Sequence, residues 1–176
     1  QVGLFCVGDG ETYNVPVEMA ETRYGIRVDE HSLHTDGAGA GEYRGGSGAV
    51  RVYRSMNENQ TFTASFGRNK WPVWGAAGGK DGSVNYFQFI DADGTVSEPM
   101  GIAARRVMNT NDVVRMVTAT GGGYGNPFKR PAEKVAMDVK NEYITVEQAK
   151  ADYGVLVDPE TFKVLGLTEE RQKAEK

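Results

Sequence analysis

The chain has little of several features that would point to a class of function. Its 176 residues include a single cysteine, Cys6, so no internal disulfide can form, and we expect a cytoplasmic protein. The formal net charge is −4, whereas nucleic-acid binders usually carry a basic surface. No apolar run approaches the roughly 20 residues that a membrane-spanning helix needs. We therefore expect neither a nucleic acid nor a membrane as a partner.

Glycine, in contrast, is abundant. It accounts for 23 of the 176 residues, about twice the usual share of roughly 7%. The glycines show no collagen-like period, so we assign them to turns, bulges and close approaches of the backbone. This distribution favours a fold rich in β-structure.

The hydrophobic pattern of the first two thirds of the chain predicts β-strands. Apolar or alternating runs lie at residues 2–7, 49–54, 61–66, 84–90, 102–107 and 112–119. The runs at 49–54 and 61–66 are separated by a short polar turn, which predicts an antiparallel hairpin between them. Residues 17–24 fit either a short helix or an irregular strand.

The last third changes to helical signals. Residues 131–141 place apolar side chains on one helical face, and Pro131 suits a first turn. Thr145 and Gln148 fit a capping box for a helix from Val146 to Tyr153, which Gly154 ends. Residues 155–157 fit a further short strand.

The predicted fold class is therefore α+β and predominantly β. We expect twisted antiparallel sheets with glycine-rich turns, followed by two short C-terminal helices. The expected organisation is a glycine-rich β domain at residues 1–128, a helical appendix packed on it at residues 129–157, and a charged tail at residues 158–176.

The densest glycine stretch is GAGAGEYRGGSG at residues 37–48, which contains Arg44, and residues 121–127 repeat its character as GGGYGNP. Neither a dinucleotide-binding GxGxxG register nor a P-loop is present. Two interpretations stay open. The glycines mark a close crossing of strands, which composition favours, or their N–H groups form an anion-binding nest with Arg44 as the partner charge.

Two smaller constellations also allow two interpretations each. His31, His34 and Asp36 could supply metal ligands, but spacing of this kind in a polar segment favours solvent-facing residues. Trp71 and Trp74 flank Pro72, and a packed loop cap is favoured over a stacking platform for a ligand.

Several motifs occur together in a characteristic order. They are Asn14 to Glu18, Asp36 to Gly39, Glu42 to Gly48 (EYRGGSG), Arg68 to Gly75 with Gly78 and Gly79, Asp112 to Val114, Gly121 to Pro127 (GGGYGNP), Val135 to Asp138 and Ala149 to Val155. In these segments the chain resembles the C-terminal part of the hydantoinase B/5-oxoprolinase family, and the resemblance covers about residues 8–157. Ala38 and Ser47 depart from the residues usual in the family, but neither change alters the expected backbone path.

The resemblance implies a function, cofactors and partners. Family members open cyclic amides such as hydantoins or 5-oxoproline, using ATP hydrolysis and a hydantoinase A-like ATP-binding subunit. ATP and Mg would lie on that partner, a divalent metal would lie in the N-terminal part of the hydantoinase B-like subunit, and this chain alone would bind none. A related branch consists of ATP-dependent acetone and acetophenone carboxylases.

The resemblance also implies residues that line a substrate site or an interface. The matching positions are Asp36, Gly39, Arg44, Gly45, Gly46, Arg68, Gly122, Gly123 and Tyr124. Arg44 is the expected charged contact, because a guanidinium binds a carboxylate or a phosphorylated intermediate through two hydrogen bonds.

Family subunits are several times longer than this chain. We therefore expect a C-terminal segment, a split subunit or a processed product that docks on the rest of a hydantoinase B-like subunit and is inactive alone. Three functions stay open: part of a cyclic-amide hydrolase, part of a ketone carboxylase, or a non-catalytic interaction module of such a complex.

Overall fold

A computed structural model describes residues 15–174 of the protein. The strand predicted at residues 2–7, together with Cys6, lies outside the described residues. The helices are α1 (Val17–Tyr24), α2 (Ala132–Lys140), α3 (Val146–Tyr153) and α4 (Glu169–Ala174), with a 3-10 turn at Pro127–Lys129. The strands are β1 (Ile26–His34), β2 (Gly48–Ser55), β3 (Gln60–Ser65), β4 (Tyr86–Ile90), β5 (Ile102–Met108), β6 (Val113–Val117), β7 (Val155–Val157) and β8 (Val164–Leu167).

The largest sheet has four antiparallel strands in the order β1-β2-β6-β4. β1 was not predicted, because most of its side chains are polar and exposed and give no alternating pattern. Its ladder with β2 supplies the backbone hydrogen bonds, and a bulge between Val28 and Glu30 interrupts the register. Asp29 at the bulge accepts hydrogen bonds from Arg27 and Arg54.

The predicted hairpin between residues 49–54 and 61–66 is wrong. Both runs are strands, but β2 pairs with β1 and β6, whereas β3 pairs with β5. Both edges of β2 are thus occupied, and β3 lies in a separate two-stranded sheet. The alternation of side chains identifies the faces of a strand but carries no information on its neighbour.

An aromatic core lies between these two sheets. Phe87, Phe89, Met108 and Val114 are buried at its centre. Phe62 from β3 meets the rings of Phe87 and Phe89 edge-on, with centroids 5.6 and 5.5 Å apart. Aromatic pairs prefer this geometry, and it adds to the free energy gained by burial.

The C-terminal helices and the β7-β8 hairpin pack around a second, mostly aliphatic core, and we call residues 131–174 the C-terminal unit. The fully buried members of this core are Val135, Ala149 and Val155. Residues 158–174 contribute to the unit, since they include β8 and α4, and Arg171 of α4 is buried.

The predicted bounds of α3 are confirmed. Thr145 Oγ1 accepts a hydrogen bond from the backbone N–H of Gln148 at 3.1 Å, and Gln148 Oε1 accepts one from the backbone N–H of Thr145 at 2.8 Å. Gly154 ends the helix at φ 63°, in the left-handed region that favours glycine.

The predicted fold class, α+β and predominantly β with antiparallel sheets, is also confirmed. The boundaries at residues 128 and 157 stay predictions. Between residues 15 and 174 no helix has the length and apolar character to span a bilayer.

Candidate functional site

Three glycine-rich segments come together beside the main sheet. They are residues 37–48, 74–82 and 121–125, and we call the region they form the glycine layer. The Gly39 amide donates to the carbonyl of Gly121, and the Gly45 amide donates to that of Gly39, both at 2.9 Å. The Gly123 amide donates to the backbone carbonyl of Lys80 at the same distance, and Tyr124 and Tyr43 exchange a pair of backbone hydrogen bonds. The layer is therefore held by the main chain.

The segments lie too close together to admit side chains at the contacts. A Cβ atom on Gly45 would lie 2.0 Å from the carbonyl oxygen of Gly121. On Gly39 it would lie 2.2 Å from the carbonyl oxygen of Lys80, and on Gly123 2.2 Å from that of Ala40. Such separations are far below van der Waals contact, so these positions require glycine.

The interpretation of the glycines as a close crossing of strands is thereby confirmed. The glycines allow neighbouring segments of the same chain to approach each other's backbone closely. The amides of Gly39, Gly45 and Gly123 donate to backbone carbonyls, so their protons are not directed at an external anion. The roles predicted for Gly39, Gly45, Gly46, Gly122 and Gly123 in a substrate site or an interface stay predictions.

Arg44 leaves the glycine layer and reaches toward α2. Its side chain is only 4% exposed, and its guanidinium lies 4.6 Å from the centre of the Tyr143 ring. Nε is 3.7 Å from Asp138 Oδ2, within ion-pair range, and Nη1 donates to the Gly45 carbonyl at 3.1 Å. The buried Nε has no hydrogen-bond partner.

Asp138 joins Arg44 to a second buried arginine. Arg130 Nε donates to Asp138 Oδ2 at 3.0 Å, and Nη2 lies 2.9 Å from the same oxygen, within ion-pair range. Its Nη1 donates to the carbonyl of Glu42 at 3.0 Å, in the glycine layer. Arg171 continues the network, since it donates to the carbonyls of Tyr153 and Arg130. This buried network ties the glycine layer to the C-terminal unit.

Tyr153 lies next to this network. Its hydroxyl is buried and has no hydrogen-bond partner. Burial is the main cause that raises the pKa of Tyr153 to about 12, because the phenolate would lose its hydration. The phenol is thus neutral throughout the physiological pH range.

Asp36 belongs to a cleft beside the connection between α2 and α3. Asp36 lines this small cleft of about 260 Å³ together with Thr35 and with residues of α2, α3 and the segment that connects them, among them Glu142 and Gln148. Tyr143 belongs to the same cleft and also contacts Arg44. Tyr143 is therefore common to the surroundings of Asp36 and Arg44, which make no direct ion pair.

The remaining predicted residues, Arg68 and Tyr124, belong to an exposed surface. The Arg68 guanidinium lies 4.9 Å from the centre of the Trp74 ring. The Tyr124 ring packs 6.3 Å from that of Tyr43. The expectation that Trp71 and Trp74 form a packed loop cap is wrong, since they are 74% and 68% exposed. The indoles remain outside because the backbone of the loop, rather than its side chains, packs on the layer.

His31 and His34 lie on β1, and three positions along a strand place side chains on opposite faces. His31 Nε2 is 3.4 Å from a guanidinium nitrogen of Arg51, and burial lowers the pKa of His34. Residues 15–174 contain no group of three or more His, Cys, Asp or Glu side chains that could hold a metal ion.

A cavity of about 650 Å³ lies elsewhere, beneath α1 and between the two β-sheets. Apolar side chains dominate its walls, among them Tyr53, Phe62, Met108 and Met116. It extends the aromatic core and contains none of the residues predicted for the site.

Two comparisons with known sequences identify the family. The sequence profile described as Hydantoinase B/oxoprolinase matches residues 2–127. An uncharacterized protein of Methanocaldococcus jannaschii is 34% identical over 82% of the chain. The caprolactamase subunit beta of Pseudomonas jessenii is 30% identical over 81% of it. The chain belongs to the hydantoinase B/oxoprolinase family.

Solved structures agree with this assignment. The crystal structure of the ATP-dependent caprolactamase from Pseudomonas jessenii superposes with a TM-score of 0.70 over 90% of the chain, at 29% identity. A nucleotide-free acetone carboxylase structure gives the same TM-score over 91% of the chain, but at 17% identity it shows the fold alone. The chain spans about a quarter of the length of both curated relatives, and 27% and 25% of the two solved chains.

Sequence reasoning did not assign site roles to Asp138 and Tyr143, which contact Arg44, or to Arg130, which shares Asp138 with it. One signal was present. Asp138 follows the buried Val135 and Ala136 and precedes Val139, so a carboxylate lies on the apolar side of the predicted helix. A buried carboxylate requires a cationic partner, and this requirement could have directed attention to a nearby arginine.

Proposed function

We propose that this chain is the C-terminal, β-rich segment of a subunit of an ATP-dependent amidohydrolase that opens cyclic amides of the hydantoin or 5-oxoproline type. The proposed assembly contains the rest of a hydantoinase B-like subunit and a hydantoinase A-like ATP-binding subunit. The observation that carries the proposal is the superposition on an ATP-dependent caprolactamase over 90% of this chain, with 29% identity. Caprolactam is itself a cyclic amide.

The proposed reaction requires activation of the amide. Resonance gives the C–N bond partial double-bond character, so water attacks the unactivated carbonyl slowly. ATP would transfer its γ-phosphoryl group to the carbonyl oxygen and leave as ADP, and attack of water on the activated carbon would then break the C–N bond, open the ring and release phosphate.

The proposal places ATP and Mg on the partner subunit. The glycine amides that could cradle phosphate instead donate to carbonyls of the same chain, as at Gly39, Gly45 and Gly123. No cluster among residues 15–174 suits a metal ion. The proposal therefore places both groups outside residues 15–174.

The contribution proposed for this chain is structural support of a pocket or a subunit contact. Arg44 is the residue proposed to interact with an anionic group, because its buried guanidinium is incompletely paired and its Nε atom has no hydrogen-bond partner. Its guanidinium is already oriented by Asp138 and Tyr143, so its geometry is fixed before any ligand binds.

The test is an assay of the complete subunit, co-purified with its ATP-binding partner, on hydantoin, 5-oxoproline and caprolactam. We expect release of ADP to be coupled to formation of the ring-opened product, and no product without ATP. ADP release coupled to carboxylation of acetone or acetophenone, dependent on bicarbonate, would instead assign the carboxylase function. Absence of turnover on both substrate classes would favour the third function, a non-catalytic interaction module of the complex.

The role of Arg44 is tested in the same assay with Arg44→Lys, which keeps the charge but loses the planar two-point geometry. We expect kcat to fall about 10-fold or more. Thermal unfolding of the variant identifies a loss that comes from misfolding. Unchanged kcat and KM in a folded variant would contradict the role proposed for Arg44.

A further inference from the structure

The cavity beneath α1 is not used by the function proposed above. Its volume is about 650 Å³, and its walls come from α1 and from strands of both β-sheets. The apolar side chains of the walls include Phe62, Met108, Val114 and Met116. Protein interiors are close-packed, so apolar walls of this extent are normally covered in a folded protein. The walls therefore favour an apolar occupant.

Part of the apolar wall is open to solvent. Val15 and Tyr24 both line the cavity, yet 51% and 54% of their surface is exposed. Ala20 of α1, which lines the cavity as well, is buried. Removal of apolar surface from water is the main favourable contribution to folding. An occupant that covers Val15 and Tyr24 therefore stabilises the folded chain.

The wall also contains a cation without a carboxylate partner. Arg51 lines the cavity, its Nη1 donates to the Tyr53 hydroxyl at 3.4 Å, and its Nη2 lies 3.4 Å from His31 Nε2. Arg54, in the same wall, pairs with Asp29. Within the described part of the chain, no carboxylate forms an ion pair with Arg51. An occupant complementary to the wall thus combines apolar side chains with a carboxylate.

The sequence directly before the described residues has this composition. Residues 2–7 read VGLFCV, the apolar run that predicts a buried strand, and Asp9 and Glu11 follow it. Val15, where the described residues begin, lies in the cavity wall, so residues 8–14 alone connect the run to the cavity. A short tether raises the effective concentration of a segment to about the millimolar range, which favours it over an untethered occupant.

We infer that residues 2–7 dock in the cavity beneath α1 and that a carboxylate of Asp9 or Glu11 pairs with Arg51. The docked run covers the open apolar wall and extends the aromatic core between the two sheets. It also attaches the first residues of the chain to strands that lie far from them in sequence. A small organic acid with an apolar body, or another part of a longer polypeptide, is the competing occupant.

The reactivity of Cys6 tests the inference directly, because Cys6 lies within the run and is the only cysteine of the chain. Its rate of reaction with Ellman's reagent is measured in the folded full chain and in urea. We expect the folded chain to react about 100-fold more slowly or less, because a packed thiol reacts only when the structure opens. Equal rates in the two conditions would overturn the inference and assign the cavity to a competing occupant.

Disulfide formation locates the contact. Thr61→Cys, Met108→Cys and Met116→Cys, made one at a time, place a second thiol on the cavity wall in three different strands. Leu165→Cys is the matched control, 67% exposed on β8 in the C-terminal unit. Since a disulfide requires Cα atoms within about 7 Å, we expect mild oxidation to join Cys6 to at least one wall position and not to position 165. A protected Cys6 that joins none of the three would overturn the inference.

The rate of Cys6 modification also tests the ion pair. We expect Arg51→Gln to raise this rate in the folded chain by about 10-fold, and a chain that also carries Asp9→Asn and Glu11→Gln to show no further increase. Arg106→Gln removes an exposed arginine of a surface ion pair and should leave the rate unchanged. Equal rates for Arg51→Gln and Arg106→Gln would contradict the pairing of Arg51 with the N-terminal segment.

Discussion

The glycine layer and the C-terminal unit are held together in opposite ways. The C-terminal unit buries aliphatic side chains, and Val135, Ala149 and Val155 have no exposed surface. Burial of such side chains stabilises a fold by about 25 cal/mol per Å² of apolar surface. The glycine layer has few side chains to bury, so its segments are joined by backbone hydrogen bonds and packed main chain against main chain.

This difference determines what each region can tolerate. A side-chain core adjusts to substitutions that conserve volume, since neighbouring rotamers can move. The glycine layer cannot adjust in this way, because the atoms that a Cβ would meet belong to the backbone. The layer is accordingly suited to hold a surface in fixed geometry.

The largest expected effect follows from adding one methyl group to the layer. In Gly45→Ala the Cβ would lie 2.0 Å from the Gly121 carbonyl oxygen, which no side-chain movement can relieve. We expect the free energy of unfolding to fall by about 4 kcal/mol or more. Urea denaturation of the purified chain measures it.

Gly67→Ala is the matched control for this substitution. A Cβ at Gly67 meets nothing within 4 Å, so stability should stay the same or rise by up to about 1 kcal/mol. Equal stabilities of the two variants would contradict the close packing of the layer.

The next largest effect concerns the network that joins the two regions. Asp138→Asn removes the carboxylate shared by the buried Arg44 and Arg130. Leaving buried cations without their counter-ion costs about 3–5 kcal/mol, and we expect the unfolding free energy to fall by this amount.

Asp91→Asn provides the comparison on the surface. Asp91 pairs with Arg106 at 3.0 Å, but both side chains are nearly half exposed. Such pairs contribute about 0–1 kcal/mol. A loss for Asp138→Asn no greater than for Asp91→Asn would show that the buried network does not connect the regions.

The smallest expected effect is that of Tyr153→Phe on the pH dependence of stability. The pKa of Tyr153, about 12, lies above the ordinary value of 10, so between these pH values the folded state retains a proton that the unfolded state has released. Stability from this group is fully present below pH 10 and is lost as the pH rises through 12. Tyr153→Phe should therefore lose less stability than the unmodified chain over this range.

The same variant is informative at neutral pH. The Tyr153 hydroxyl has no hydrogen-bond partner, so its removal should leave stability unchanged or raise it by about 1 kcal/mol. Chemical denaturation at pH 7 and at intervals from 10 to 12 gives both quantities. Parallel pH profiles of the two proteins would mean that the hydroxyl is hydrated.

Helix α3 of the C-terminal unit could be predicted in detail because its signals are local, whereas residues 158–174, expected as a charged tail, contain β8 and α4. The capping box at Thr145 and Gln148 and the terminating Gly154 lie within ten residues, and they define α3 to the residue. The main sheet could not be predicted in the same way. β2 finds β6 more than fifty residues away, and alternation at 49–54 does not specify that partner.

The candidate site shows the same division. Glycine density identified the layer, because a close approach of backbone requires that residue. The destination of Arg44 depends on Asp138, more than ninety residues later, and the exposure of Trp71 and Trp74 depends on the packing of the loop backbone. Neither can be read from local sequence.

Amide hydrogen exchange of the folded chain, resolved at single residues by NMR, tests most directly whether the glycine layer is a rigid framework. We predict that the amides of Gly39, Gly45, Gly123 and Tyr124 exchange as slowly as those at the centre of β6, since each donates to a backbone carbonyl within the layer. Exchange of these four amides at the rate of the exposed turn around Gly94 would contradict the account.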